Sequence, residues 1–141
     1  MIEIKQEINI AIVDKIKEHF VEDGGYTKEV IAAELRRYMT ETPDSVFVLV
    51  GYDGEEIVGH TIAWLPENRG YIWSDQSWIK NGTPTEYVKM ALALMETWAK
   101  IKGVNEIRLE TERNKDAIVR RWGFQEHGVI MTKRLSNDTG N

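Results

Sequence analysis

One carboxylate in this 141-residue chain stands where a general base would be useful. Asp75 lies in the stretch WSDQSW, between Trp73 and Trp78. Apolar flanks of that kind raise a carboxyl pKa by desolvating its charged form. The group can then take a proton from a nucleophile, directly or through a water. The same residue serves equally as a structural acceptor for a neighbouring backbone N–H or for Ser77. Trp64, Trp73 and Trp78 sit on adjacent strand ends and suit an acceptor pocket, a protein-binding patch or sheet packing. His60 follows Gly59 in a strand and could titrate near neutrality, although a surface or hydrogen-bonded sheet histidine is the commoner case. His19, His60 and His127 share no metal-ligand spacing, so no metal site is expected. No glycine-rich nucleotide fingerprint, nucleophile elbow or HExxH motif occurs, which leaves hydrolase and dehydrogenase chemistry without support.

A second feature is the loop WIKNGTPTEYVK, residues 78–89, which feeds a long amphipathic helix. A helix N-terminus presents free amides and a positive dipole end to anions such as phosphate. Here, however, Thr83-Pro84-Thr85-Glu86 spells a capping box, with Thr83 at N-cap, Pro84 at N1 and Glu86 at N3. Such a box stabilises a helix by about 1 kcal/mol. It would consume the donors an anion needs and set a carboxylate beside them.

The elements that must position these residues follow from periodicity. MIEIKQEI reads as a short strand through Ile2, Ile4 and Ile8. Ile12, Val13, Ile16 and Phe20 then recur at helical spacing, with Asn9 as N-cap and Gly24-Gly25 as the stop. A second helix is predicted from Thr27 to about Met39, with Val30, Ile31, Leu35 and Tyr38 on one face. VFVLVGYDGEEIVGHTIAWL is a hairpin around Asp53-Gly54, and YIWSDQSWIK supplies a third antiparallel strand. From Pro84 to Gly103, Val88, Ala91, Leu92, Met95, Trp98 and Ile101 form one apolar helical stripe. VNEIRLETE is a strand, Asn114 caps a short helix that ends at Gly123, and HGVIMTKRL closes the chain as a strand. The predicted order is β-α-α-β-β-β-α-β-α-β: an α+β fold with a central mixed, mostly antiparallel sheet and helices on both faces.

Bulk properties narrow the classes further. With no repeat, linker or low-complexity tract, residues 1–141 read as a single domain. The chain has 18 basic and 23 acidic residues, a net charge of -5, which disfavours nucleic acid or an anionic membrane as partner. It has no cysteine, and its charged N-terminus is unlike a secretory signal, so a cytoplasmic location is expected.

The order of elements, together with DGEEIVGH, METWAKIKGVNEIRLET and NKDAIVRRWGF, resembles the GNAT superfamily of acyl-CoA-dependent N-acyltransferases along essentially the whole chain. The resemblance implies transfer of an acetyl or other acyl group from acyl-CoA to an amine of a small molecule or protein, with acetyl-CoA as co-substrate and no metal. It implies Asp75 as the base and a pantetheine arm paired with the backbone near Trp78, Ile79 and Lys80. It further implies a pyrophosphate near Gly82, Thr83 and Thr85, a contact from Asn114, and an acceptor pocket at Trp64 and Trp73. Arg120 and Arg121 could meet an acidic cofactor tail or form a solvated helix face. The chain departs from the family at two points. Pro84 and Glu86 occupy positions where the cofactor loop carries glycines, and Val119 stands where a general-acid tyrosine is frequent, leaving Tyr38, Tyr71 or Tyr87 as spatial substitutes. The alternative expectation is a GNAT-fold binding or assembly protein without CoA, of the compact type carried by phages; a homodimer suits either.

Overall fold

Apolar spacing changes at Asn9, and the backbone changes with it. The computed structural model describes residues 1–22, 24–66, 70–110, 125–127 and 130–135. Strand β1 (Ile2–Gln6) gives way to α1 (Ala11–Ile16), where the Asn9 side chain accepts a hydrogen bond from the Ala11 amide at 2.9 Å. The helix tightens into a 3-10 turn over Lys17–His19 and stops at Phe20, which is extended and buried. It is therefore shorter than the predicted run to Gly24. Helix α2 (Lys28–Glu41) is capped by Thr27, whose hydroxyl accepts from the Val30 amide at 3.2 Å.

Strands β2 (Val46–Asp53) and β3 (Glu56–Trp64) form the predicted hairpin, with Gly54 in the turn at φ +65°. Strand β4 (Ile72–Ile79) pairs antiparallel with β3. Helix α3 (Thr85–Ile101) follows, and then β5 (Glu106–Glu110), β6 (Gln125–His127) and β7 (Ile130–Arg134). β6 is an element the sequence reading does not contain. The strand order is β1-β2-β3-β4-β5-β7-β6, antiparallel except where β4 meets β5 in parallel. The predicted short helix capped by Asn114, together with Val119, Arg120 and Arg121, lies outside the described residues.

The run VFVLV is continuous because β2 is buried on both faces. Val46, Val48 and Val50 pack with Ile12, Val13, Ile16 and Leu35 of α1 and α2. Phe47 and Leu49 face the opposite way, into Met95, Trp98 and Ala99 of α3 and Ile107 of β5. Phe47 and Trp98 stack at 5.1 Å with their planes 10° apart. The α3 stripe is divided along its length. Met95, Trp98 and Ala99 are buried, Val88, Ala91 and Leu92 are only half-buried, and Ile101 is 76% exposed, contrary to its expected place in the core. The C-terminal half of α3 is thus anchored on the sheet, while its N-terminal half is less closely packed.

β3 and β4 lie very close at Gly59, where an added Cβ would come within 3.1 Å of the Trp78 carbonyl oxygen. The Gly59→Ala variant is expected to lose about 1–3 kcal/mol in urea denaturation by forcing the strands apart. At Gly51 the nearest atom to an added Cβ is a Val58 methyl at 3.7 Å, so Gly51→Ala should cost clearly less.

Candidate active site

Two residues of β4 stand opposite one of β3. Ile62 pairs with Asp75 and His60 with Trp78, so Gln76 and Ser77 together face Thr61 across a β-bulge. Gln76 accommodates the extra residue at φ +52°, the left-handed region that non-glycine residues seldom occupy. The strict alternation predicted for YIWSDQSWIK therefore ends at Asp75. Ser77 turns toward Thr61, the two hydroxyl oxygens lying 2.6 Å apart.

The bulge coincides with the end of the β4–β5 ladder. The parallel pairs are Ile72–Ile107, Trp73–Arg108 and Ser74–Leu109, and among the described residues none involves Asp75 or anything beyond it. A cavity of about 970 Å³ occupies this region and reaches both faces of the sheet. On the α3 side its walls include Tyr87, Val88, Ala91 and Leu92. On the α1–α2 side they include Tyr26, Glu34, Tyr38, Trp64, Trp73 and Asp75. Half-buried apolar positions that periodicity assigns to core packing thus line a cavity, which the periodicity of a helix cannot distinguish.

Asp75 accepts a hydrogen bond from the Trp64 indole N–H at 2.6 Å. Trp64 is itself fixed edge-on by Tyr38, with centroids 5.0 Å apart. Cross-strand pairing sets Trp73 opposite Trp64, while Trp78 lies at the far end of β4 and stacks on His19 at 3.5 Å. The expected group of three tryptophans is therefore a pair and a separate residue, all three lining the same cavity. Of the three tyrosines considered as proton donors, Tyr38 and Tyr87 line the cavity, and Tyr71 lies beneath the Arg108 guanidinium at 3.9 Å.

Structure corrects the reading of the α3 start. The helix begins at Thr85, its N-cap is Pro84 at φ -60° and ψ 140°, and no side chain caps it. The Thr83–Glu86 capping box does not form, because Pro84 holds an extended ψ that sets the first helical turn one residue later. The Tyr87 amide donates to the Pro84 carbonyl at 3.1 Å, while no described side chain caps the Thr85 and Glu86 amides. Gly82, at φ +91°, turns the chain between Lys80 and Thr83. Among the residues expected at the cofactor, Trp78, Ile79 and Thr83 line the cavity. Lys80, Gly82 and Thr85 stand outside its wall. Lys80 is bound into the sheet, its amide donating to Val58 at 2.8 Å and its ammonium 2.6 Å from Glu56. Asn114 lies outside the described residues.

Sequence reasoning misses Gln76 and expects the wrong setting for His60. Gln76 clamps the segment after α1: its side chain accepts from the Val21 amide at 2.7 Å and donates to the Val21 carbonyl at 3.0 Å. No local signal marks this, since the partners are 55 positions apart. His60, expected at the surface or hydrogen-bonded within the sheet, is neither exposed nor satisfied. It is 4% exposed, and neither ring nitrogen has a hydrogen-bond partner of normal geometry, although a Gln76 backbone group favours its charged form slightly. Burial, with help from the nearby His19, pushes its pKa down from 6.5 to about 4. A buried imidazole with no partner, lining a cavity, is a polar group awaiting a ligand or a water.

Two outcomes follow from this geometry. In Gln76→Ala the Val21 amide loses its acceptor, and its hydrogen exchange should accelerate at least about tenfold while amides in β2 keep their protection. For His60, the unfolded chain takes up a proton first as pH falls below about 6.5. Stability is therefore full above that pH and is lost progressively toward pH 4, by roughly 3 kcal/mol in all. Urea denaturation of the parent and His60→Leu proteins at about pH 7 and pH 4.5 checks this, with the smaller acid loss expected in the variant.

Among the described residues, no group of three His, Asp or Glu side chains could hold a metal, and no helix is long and apolar enough to cross a membrane. Neither a protein-family model nor a curated protein matches the sequence. Solved structures do match. PaiA N-acetyltransferase from Thermoplasma acidophilum, in complex with coenzyme A, aligns at TM-score 0.71 and 18% identity over 95% of this chain and 99% of its own. A GNAT-family acetyltransferase from Staphylococcus aureus aligns at 0.71 and 12%, over 96% and 100%. yncA from Salmonella typhimurium, solved with its cofactor acetyl-CoA, aligns at 0.71 and 13%, over 98% and 96%. The fold of this chain is that of the GNAT acetyltransferases.

Proposed function

We propose that the chain is an N-acyltransferase that moves an acyl group from acyl-CoA to an amine. The observation that carries this reading is the end of β4–β5 pairing at Ser74 and Leu109, within a cavity that reaches both faces of the sheet. A long thioester ligand and an amine can then meet from opposite sides. At about 970 Å³ the cavity is at the upper end of ligand pockets, which span about 300–1,000 Å³.

The residues present fit such a co-substrate. Val88, Ala91 and Leu92 offer an apolar wall to a pantetheine arm, and the uncapped amides of Thr85 and Glu86 head a 17-residue helix whose dipole favours a pyrophosphate. Gly82 leaves open space where a side chain would crowd an approaching anion. When bound, acyl-CoA supplies an activated acyl carbon. Asp75, oriented by Trp64, takes the proton from the amine, directly or through water. The nitrogen–carbon bond forms as the carbon–sulfur bond breaks. A thiol pKa near 8.5 lets sulfur leave as thiolate at little cost, so Val119 in place of a tyrosine removes less than it would for an alkoxide leaving group.

Acetyl-CoA at about 100 times its Kd should stabilise the protein by about 2.7 kcal/mol, read as a rise in Tm. No shift at millimolar acetyl-CoA would overturn the reading in favour of a CoA-independent binding module. Asp75→Asn should leave that shift intact and lower kcat/KM by about 10²-fold or more in a thiol-release assay. Glu86→Gln removes a negative charge from the first turn of α3 and should tighten CoA about two- to fivefold, the dipole-range effect of a single charge.

A further inference from the structure

Helix α3 carries a second apolar stripe, distinct from the one that packs on the sheet. Met90, Leu94 and Ile101 are 49, 42 and 76% exposed, and with Thr97 they recur at i, i+4, i+7 and i+11 along one line. The Thr97 hydroxyl donates back to the Ala93 carbonyl at 3.0 Å, so it adds no unpaired donor to that line. Met95, Trp98 and Ala99 are buried on the sheet side. Scattered exposed apolar residues are ordinary, but these four follow the alternating three- and four-residue spacing of a helix that packs on another helix. A helix that is apolar on both sides is one with neighbours on both.

The charges beside this stripe point to the neighbour. Glu86 and Lys100 are exposed and flank it, each seven residues, or two turns, from the exposed Ala93. Glu96 is held by Lys133 at 2.8 Å, whereas Glu86 and Lys100 have no ion-pair partner among the described residues. A second α3 laid antiparallel, with Ala93 on the two-fold axis, sets Glu86 of each copy against Lys100 of the other. Met90 and Leu94 of one copy then interleave with Leu94 and Met90 of the other. Ile101, eight residues past the axis, covers the other helix near Thr85. A parallel arrangement would instead oppose like charges. Ala93 is small enough to bring the two axes toward the short end of the usual range of about 8–10 Å.

We propose that the outer face of α3 is an interface between two copies of this chain, closed by Met90, Leu94 and Ile101 and aligned by reciprocal Glu86–Lys100 pairs. The interface does not depend on the acyltransferase reading. One helix pair buries less than the roughly 800 Å² per partner of a standard interface, so the dimer belongs to the weak, exchanging class, with a Kd of order 10–100 µM. An anionic membrane is a poorer occupant, since the chain carries a net charge of -5.

Analytical ultracentrifugation of the full chain without acyl-CoA, from about 1 µM to about 500 µM, tests this. Reversible dimerisation is expected. Leu94→Glu should weaken it at least about tenfold, with Tm at low protein concentration unchanged because Leu94 is exposed in the monomer. Lys100→Glu should weaken it several-fold, and adding Glu86→Lys to that variant should restore the parent Kd to within about threefold. The chain has no cysteine, so Ala93→Cys gives a single thiol that meets its own copy at the axis. Mild oxidation should cross-link it at least about tenfold faster than Thr97→Cys, whose two copies would lie about 12 Å apart along the helices. A monomer at every concentration, a dimer indifferent to Leu94→Glu, no rescue by the double reversal, or equal cross-linking of the two cysteines overturns the proposal. So does a monomer that sediments with phosphatidylserine vesicles, which would give the face to a membrane. Acetyl-CoA binding by a strict monomer keeps the acyltransferase and sinks this interface; a dimer indifferent to acetyl-CoA does the reverse.

Discussion

Gln76 and Ser77 must share the width that Thr61 occupies alone, and the site depends on how the chain accommodates that mismatch. A left-handed φ at a non-glycine residue costs of order 1–3 kcal/mol, so it persists only where its surroundings over-determine it. Here they do so from both faces. The Gln76 amide grips the Val21 backbone on the α1–α2 side, and Thr61 holds Ser77 on the α3 side. The strand bends, the alternation of its side chains changes phase, and β5 supplies no described partner beyond Leu109. In the middle of a seven-stranded sheet, interrupted pairing exposes backbone that a ligand can satisfy.

The packing on either side turns that local irregularity into a usable opening. α3 is anchored through Met95, Trp98 and Ala99, and its N-terminal half lines the cavity with Val88, Ala91 and Leu92. α1 and α2 bury their apolar stripes against β2, leaving Glu34 and Tyr38 to border the cavity from the other side. The two clusters therefore support different ends of one passage. The uncapped start of α3 has the same logic. Amides left unsatisfied by the chain are available to an anion, whereas a capping box would have consumed them.

The site also shows how the chain manages unsatisfied polarity. His60 is buried behind Phe20 and Trp78, with centroid separations of 5.8 and 6.2 Å, and neither nitrogen is paired. Groups of this kind cost stability unless something fills the need.

The sequence by itself determined the elements, because their signals are local. Helical spacing, the polar Asn9 ahead of α1, the Gly54 turn and the two-faced VFVLV strand each depend on residues a few positions apart. It also singled out Asp75, Trp64 and Trp73 as residue types suited to a site, without being able to say that Trp64 would hold the carboxylate. Only the tertiary structure decided the rest. The bulge arises from a count of residues across two strands, the Gln76–Val21 clamp joins positions 55 apart, and the capping motif at Thr83 failed because Pro84 kept an extended backbone. His60 differs from an ordinary sheet histidine through the side chains packed over it, and Val88 and Leu92 face a cavity because the sheet opens beneath them. A periodic pattern records which face a residue takes; what stands opposite that face is fixed only when the chain is folded.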